Sequence, residues 1–294
     1  MRLVGVLAVV LAAVLWGTTG TVQSLLPEGR DPLAVGALRL LVGSIALLAI
    51  AYAQKYDITK MPDLPWPGIV FAGIAIGFYN LLFFWGVTLA GVGVGTAVTI
   101  GSAPVFATLY ESLQSNRTPN RMRVFGQGIS ITGVAMLSTL GSGDRPYLGI
   151  VIALLAGACY AAYSLATSRI SDKAPTTVIA ASTFSIAALV TLPILAFVPL
   201  GWALDGSALM GIAFLGVAAT GLAYAFYTWG LNYVTASTAV TLALMEPVTA
   251  WVLAIYIVGE PVTYESMIGA GLVLAGLVTV TLIPARRKVS PIGS

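Results

Sequence analysis

Histidine is absent from the 294 residues, and cysteine occurs once. Without histidine the commonest proton shuttle and the commonest metal ligand are gone. One thiol closes no intramolecular disulfide and completes no Cys/His metal cluster. Cys159 stands in an apolar run, where a thiol behaves as a small core residue. Charge is scarce as well: 9% of residues are charged and 58% are hydrophobic, whereas about a quarter of a soluble domain is charged. Such a chain cannot hide its apolar surface inside a soluble globule, so the composition is that of an integral membrane protein. The net charge of +3 rests on few residues and gives no reason to expect a nucleic acid partner. Also missing are a GxxxxGK(S/T) phosphate loop, an HExxH site and any nucleophile, base and orienter set. No enzyme, cofactor or metal centre is expected.

What is present is apolar length. Roughly 20 apolar residues cross a hydrocarbon core about 30 Å thick as a helix. Ten stretches qualify: 3–25, 33–53, 67–89, 94–113, 123–141, 147–169, 176–198, 207–231, 237–258 and 266–284. The connections are short and carry turn residues, among them Pro27, Pro32, Pro62, Pro65, Pro119, Gly141, Gly143, Pro146, Pro175 and Pro261. Arg2 followed by an apolar run resembles a secretory signal. That run continues past Trp16 to about Leu26 and has a counterpart in the second half, so it reads as a retained first span.

The chain repeats itself. Trp85 to Pro104 reads WGVTLAGVGVGTAVTIGSAP, and Trp229 to Pro247 reads WGLNYVTASTAVTLALMEP. Gly126, Gly128 and Gly133 return as Gly269, Gly271 and Gly276, displaced by about 143 positions, which marks a repeat of several elements. Upstream, Gly5, Trp16 and Pro32 answer to Gly149, Tyr160 and Pro175. The expected organisation is a five-helix repeat at 1–143, a second at 144–285 and a basic tail at 286–294.

Basic residues set the orientation. With a cytoplasmic N-terminus, Arg2, Lys55, Lys60, Arg117, Arg121, Arg123, Arg169, Lys173, Arg286, Arg287 and Lys288 lie inside, and Arg30 and Arg145 outside. Both termini are then cytoplasmic. Five spans per half is an odd number, so the second repeat enters the membrane inverted, a plan that places a transporter's substrate near the midplane between the repeats. Gly73 and Gly77, with the six glycines of spans five and ten, predict close helix packing or dimerisation.

Candidate site residues follow from depth. Pro104 and Pro247 each lie about ten residues into a span, near the midplane, where each removes a helix hydrogen bond and loosens the carbonyl four residues back, at Ile100 and Ala243. Such kinks are either packing features or the lining of a watered cavity. Trp16, Tyr79, Phe83, Tyr160, Tyr163, Tyr224 and Tyr227 fall at matching depth, and the repeat aligns Asn80 with Tyr224 and Phe83 with Tyr227. These rings are expected to line one cavity. Glu246 is the acidic residue nearest a span centre, a functional candidate or a hydrogen-bonded brace. Ser102 and Ala103 stand before Pro104 where Met245 and Glu246 stand before Pro247, so one half alone carries the glutamate. Arg39, about six residues into the second span, reads as a structural residue that snorkels, which leaves the midplane without Lys or Arg.

The order of Trp16-Gly17, Arg39, Glu246-Pro247-Val248 and Gly259-Glu260 across two five-span halves resembles the drug/metabolite transporter superfamily of the EamA type, over about residues 5 to 284. Its overall cast is most similar to the bacterial aromatic amino-acid exporters. The resemblance implies a secondary transporter of the bacterial inner membrane, a monomer or weak homo-oligomer, that exports amino acids and other small amphipathic metabolites by alternating access. A sugar-phosphate or nucleotide-sugar carrier is the alternative within that superfamily; a membrane-embedded enzyme or structural subunit has no use for duplicated midplane prolines. With no histidine and no second midplane carboxylate, the chain points to facilitated export.

Overall fold

The computed structural model describes residues 2–56, 58–138, 144–259 and 261–282. Glu260, Gly141, Gly143 and the tail with Arg286, Arg287 and Lys288 lie outside the described residues. Among those described, the regular elements are all helical. They are α1 (Arg2–Ser24), α2 (Pro32–Ala53), α3 (Trp66–Ala90), α4 (Val92–Ser115), α5 (Arg121–Leu137), α6 (Pro146–Ile170), α7 (Thr176–Ala196), α8 (Gly206–Gly230), α9 (Ala236–Ile257) and α10 (Tyr264–Leu282), with short 3₁₀ turns between.

Among the described residues nine helices are long and apolar enough to cross a membrane. Ten spans are expected from the sequence, and α5 is the one that falls short. Its 17 residues reach about 26 Å at 1.5 Å per residue, against a core of about 30 Å. Ser138 leaves helical geometry at φ −104° and ψ 29°, and the remainder of the expected span at 139–141 lies outside the described residues.

Helix starts are written locally. Asp31 caps α2 by accepting from the backbone N–H groups of Leu33 at 2.8 Å and Ala34 at 3.0 Å, with Pro32 in the first turn where no N–H is needed. Asn120 caps α5 through Met122 N–H at 2.9 Å, and Thr235 caps α9 through Thr238 N–H at 3.3 Å. Large apolar side chains such as Leu7, Leu48, Phe71, Phe78, Phe125 and Ile268 face outward, the surface a lipid solvent requires.

The helices interlock through missing β-carbons. A β-carbon built on Gly73 of α3 would lie 2.7 Å from the Thr183 carbonyl of α7, and one on Gly77 3.3 Å from that of Ala187. The corresponding contact in the other half is α8 on α2, where Gly216 meets Val42 and Gly221 would sit 3.1 Å from Ala46. Likewise Gly5 of α1 faces the Gly230 carbonyl at 3.3 Å, and Gly86 of α3 faces that of Gly149 at 3.3 Å. Each half therefore clasps the other with the same helices. In the bilayer this closeness is the main source of helix association, because lipid offers no hydrophobic gain between helices.

The fifth pair is reciprocal. A β-carbon on Gly126 would lie 3.0 Å from the Gly276 carbonyl and one on Gly269 2.9 Å from that of Gly133, and Ser130 Oγ donates to the Val273 carbonyl at 3.3 Å, all between α5 and α10. Gly128 and Gly271, expected to share this face, point outward into open space. Two residues along a helix is a rotation of about 200°, so the GxG pairs cannot both meet one partner.

Candidate functional site

Five helices deliver rings to one place. Trp16 of α1 packs on Tyr224 and Tyr227 of α8, with centroids 4.8 and 5.2 Å away, and meets Tyr160 of α6 edge-on at 6.2 Å. Tyr160 lies 5.2 Å from Tyr79 of α3, which stacks on Phe83 at 5.9 Å. Tyr163 stacks on Tyr227 at 6.1 Å and meets Tyr224 edge-on at 5.8 Å. The expected aromatic residues thus form a continuous web contributed by both halves. Tyr163 and Tyr227 are fully buried, and the Tyr227 hydroxyl pairs with Ser164 Oγ at 2.8 Å. Each ring contact adds about 0.5–1.5 kcal/mol beyond area burial, so the web also ties the halves together.

The remaining expected residues fall around it. Asn80 is buried, its Oδ1 lacks a hydrogen-bond partner, and it lies against Gly36 of α2 together with Phe84. Ser102 is not among the ring contacts: its Oγ donates to the Thr99 carbonyl at 3.2 Å and rests on Gly157 of α6, one turn before Tyr160. Glu246 is half-buried, and its backbone is pressed onto α1, where a β-carbon at Gly17 would lie 2.7 Å from the Glu246 carbonyl.

The two prolines differ. α4 runs unbroken through Pro104, whereas α9 is interrupted at 243–244, just ahead of Pro247. The Ala243 carbonyl, expected to be left loosened, is occupied: Glu246 N–H donates to it at 2.9 Å. The chain satisfies the acceptor with a tighter turn instead of leaving it to a ligand. Beside Pro104, Gln127 of α5 donates to Thr108 Oγ1 at 2.8 Å, Thr241 Oγ1 at 3.0 Å and the Pro104 carbonyl at 3.4 Å.

Two residues of this region escape the sequence reading. Phe184 of α7 is fully buried and lies 4.2 Å from Tyr224; a phenylalanine in an apolar span carries no mark that tells core from lipid face. Arg39 is the larger correction. It does not snorkel: it is 7% exposed, its guanidinium carbon sits 5.8 Å from the Phe84 ring centroid, and its Nε has no hydrogen-bond partner. The core therefore does hold a cation. Its depth along α2 suggested an end position, but the glycine one turn earlier, Gly36, is the available signal that this face of α2 turns toward α3.

A separate polar cluster joins α4, α5 and α9 at the end where the α4–α5 turn lies. Arg123 donates to Glu111 at 3.0 Å and to Ser237, while Glu111 accepts from Ser237 N–H at 2.9 Å and from Ser237 Oγ at 2.5 Å.

With this geometry in view, the EamA-like transporter family matches the chain at residues 3–139 and again at 147–282. The chain belongs to that family. It is similar to the uncharacterized transporter YwfM of Bacillus subtilis (strain 168), 35% identical over 283 residues, 96% of this chain and 95% of YwfM. It is also similar to the threonine/homoserine exporter RhtA of Escherichia coli (strain K12), 29% identical over 282 residues, 94% of this chain and 90% of RhtA. A solved crystal structure, 22% identical, superposes with a TM-score of 0.81 over 95% of this chain and 98% of the other, which establishes the shared fold. Family and helices together make this a multi-pass membrane transporter of the EamA family.

Proposed function

We propose that this EamA-family transporter exports amino acids, aromatic and other small amphipathic ones, across a bacterial inner membrane by alternating access. The observation that carries the reading is the buried aromatic web assembled from α1, α3, α6, α7 and α8, which offers ring faces and buried phenol, indole and amide groups to a small amphipathic solute. Threonine and homoserine, the cargo in RhtA's name, are of this kind. Trp16, Tyr79, Asn80, Phe83, Tyr160, Tyr163, Tyr224 and Tyr227 line the site, with Ser102, Glu246 and the proline positions 104 and 247 at its border.

Two inverted five-helix repeats with both termini cytoplasmic underlie the mechanism. In support, the family matches the chain twice, and the glycine contacts recur between the halves at displacements of 143 or 144 residues. In this structure the rings touch one another; in the proposed mechanism, rocking of one half against the other parts them. The placement of basic residues supports the orientation.

The test is counterflow in proteoliposomes with phenylalanine, threonine and hexose phosphates. Uptake of the amino acids, cut by Phe83→Ala or Tyr227→Ala when flux is normalised to the amount of folded protein, is the expected result. Wild-type protein that moves hexose phosphates but neither amino acid would overturn the assignment.

A further inference from the structure

Burying a guanidinium without a carboxylate partner is costly, and a charge kept in a membrane core without one is a functional group in search of its counter-ion. Arg39 meets that description. Among the described residues the ion pair present is Glu111 with Arg123, and the Arg39 guanidinium makes no hydrogen bond. Phe84 supplies a ring face 5.8 Å away, but cation–π attraction leaves all five N–H donors of the fork unused. An acidic side chain comes from α9: Glu246 makes neither hydrogen bond nor ion pair through its carboxylate among the described residues, and its backbone is held on α1 beside Trp16. Phe84 lies 5.2 Å from Phe83, so ring contacts run without a break from Arg39 through Phe83, Tyr79 and Tyr160 to Trp16, beside the Glu246 backbone.

We infer that Arg39 and Glu246 read the two ends of a zwitterion, the guanidinium taking the α-carboxylate and the glutamate the α-ammonium, with the side chain laid among the rings between them. The geometry favours a zwitterion over a dianion. One guanidinium and one carboxyl group match the two ends of a zwitterion, whereas a phosphate dianion calls for two or more cations. The fork suits the planar carboxylate, which it can grip with two parallel bonds. Asn80, whose Oδ1 is unpaired beside Gly36, stands one α2 turn from Arg39 and can accept from the ammonium or orient the carboxylate through its amide. Each half supplies one charge: Arg39 comes from α2 and Glu246 from α9. At the positions of α7 that correspond to Arg39 by a displacement of 143 or 144 stand Ser182 and Thr183, and at that corresponding to Glu246 stands Ala103, all uncharged. The ligand therefore has a single polarity across the two halves.

This inference rests on the amino-acid reading, and the experiment separates the two. Full-length protein in proteoliposomes is assayed for counterflow of labelled phenylalanine against unlabelled phenylalanine, its methyl ester, which lacks the carboxylate, and its N-acetyl derivative, which lacks the ammonium. Each masked analogue should compete about ten- to hundredfold less well, the loss expected for a hydrogen-bonded charge. Arg39→Gln should abolish the preference for acid over ester, and Glu246→Gln the preference for free amine over N-acetyl. A helix-bracing role would lower all fluxes together and leave both ratios intact. The wild-type analogue series decides the matter even if a variant fails to fold. Phenylalanine and its ester competing equally in wild type would overturn the zwitterion site and spare the exporter; no counterflow of any amino acid would overturn the exporter and this site with it.

Discussion

Adding one methyl group at Gly133 should cost more than it gains, and the same change at Gly128 should not. Alanine at Gly133 puts a β-carbon 2.5 Å from the Gly269 carbonyl oxygen and 2.7 Å from Val273 N, both backbone atoms that no rotamer change can move. Restoring ordinary contact requires α5 and α10 to separate by about 1 Å, and a gap of that size forfeits about a quarter to a half of the dispersion well at the contacts around it. Overpacking of this kind costs about 1–3 kcal/mol, against about 0.8–1 kcal/mol gained in helix propensity on replacing glycine. The net is a loss of up to about 2 kcal/mol. At Gly128, with nothing within 4 Å, the propensity term stands alone and the change is neutral to stabilising. The measurement is the thermal unfolding midpoint of the purified variants in one detergent, with Gly276→Ala and Gly271→Ala as the matching pair on α10. Because unfolding in detergent is often irreversible, the order of midpoints at a fixed scan rate is the quantity to compare. Equal midpoints for Gly128→Ala and Gly133→Ala would refute the reciprocal-glycine account of the α5–α10 contact.

Tyr227→Phe, which deletes the hydroxyl that pairs with Ser164 at 2.8 Å, should lower the midpoint slightly and leave amino-acid counterflow measurable, whereas Tyr227→Ala empties a fully buried site and should cost about 3–5 kcal/mol. In a Cys159→Ser background, Arg145→Cys should react with an impermeant thiol reagent applied to whole cells and Arg117→Cys only after permeabilisation; the reverse pattern would invert the proposed orientation. Glu111→Gln weakens the cluster that ties α4 and α5 to Ser237 of α9, worth about 1.5–3 kcal/mol for a charged hydrogen bond, and should raise the labelling rate of cysteines placed at that end of α9. If Glu246 also relays protons, Glu246→Gln should remove flux driven by a pH gradient while downhill exchange persists; loss of neither or of both marks it as a helix brace and not a relay.

Span positions are legible in this sequence because lipid fixes the length of an apolar run, and nine of the expected stretches return as helices within a few residues. The fifth returns as α5, 17 residues ending ahead of Ser138, and the rest of that stretch lies outside the described residues. Gathering of the aromatic residues was legible from depth, since Tyr and Trp placed far from the interfaces need partners. Depth does not fix the face of a helix, and the errors come from that. Arg39 lies close enough to a helix end to snorkel, yet α2 turns it toward Phe84. Gly128 is two residues from Gly126 and so points away from α10, a rotation that the spacing alone could have revealed. The fate of the Ala243 carbonyl depended on a local turn at 243–244 that no proline rule specifies.

The scaffold and the chemistry of this chain obey different symmetries. Glycine contacts recur from one half to the other because clasping two helix bundles needs the same small surfaces on both sides, and a duplicated sequence supplies them. Charge does not recur: Arg39, Glu246 and the Glu111–Arg123 pair each lack a charged counterpart at the corresponding position. If the halves are inverted and alternate as proposed, a symmetric scaffold gives two states of similar energy, open to one side or the other, since the same helix contacts are made in both. Groups that appear once are what separate those states in free energy. Ser237 held by Glu111 and Arg123 ties the two halves at one end of the molecule; under the proposed alternating access, that end stays shut until the tie is broken. The asymmetry of a few polar side chains, about 1.5–3 kcal/mol for each charged hydrogen bond, is then enough to hold a near-symmetric transporter predominantly in one state.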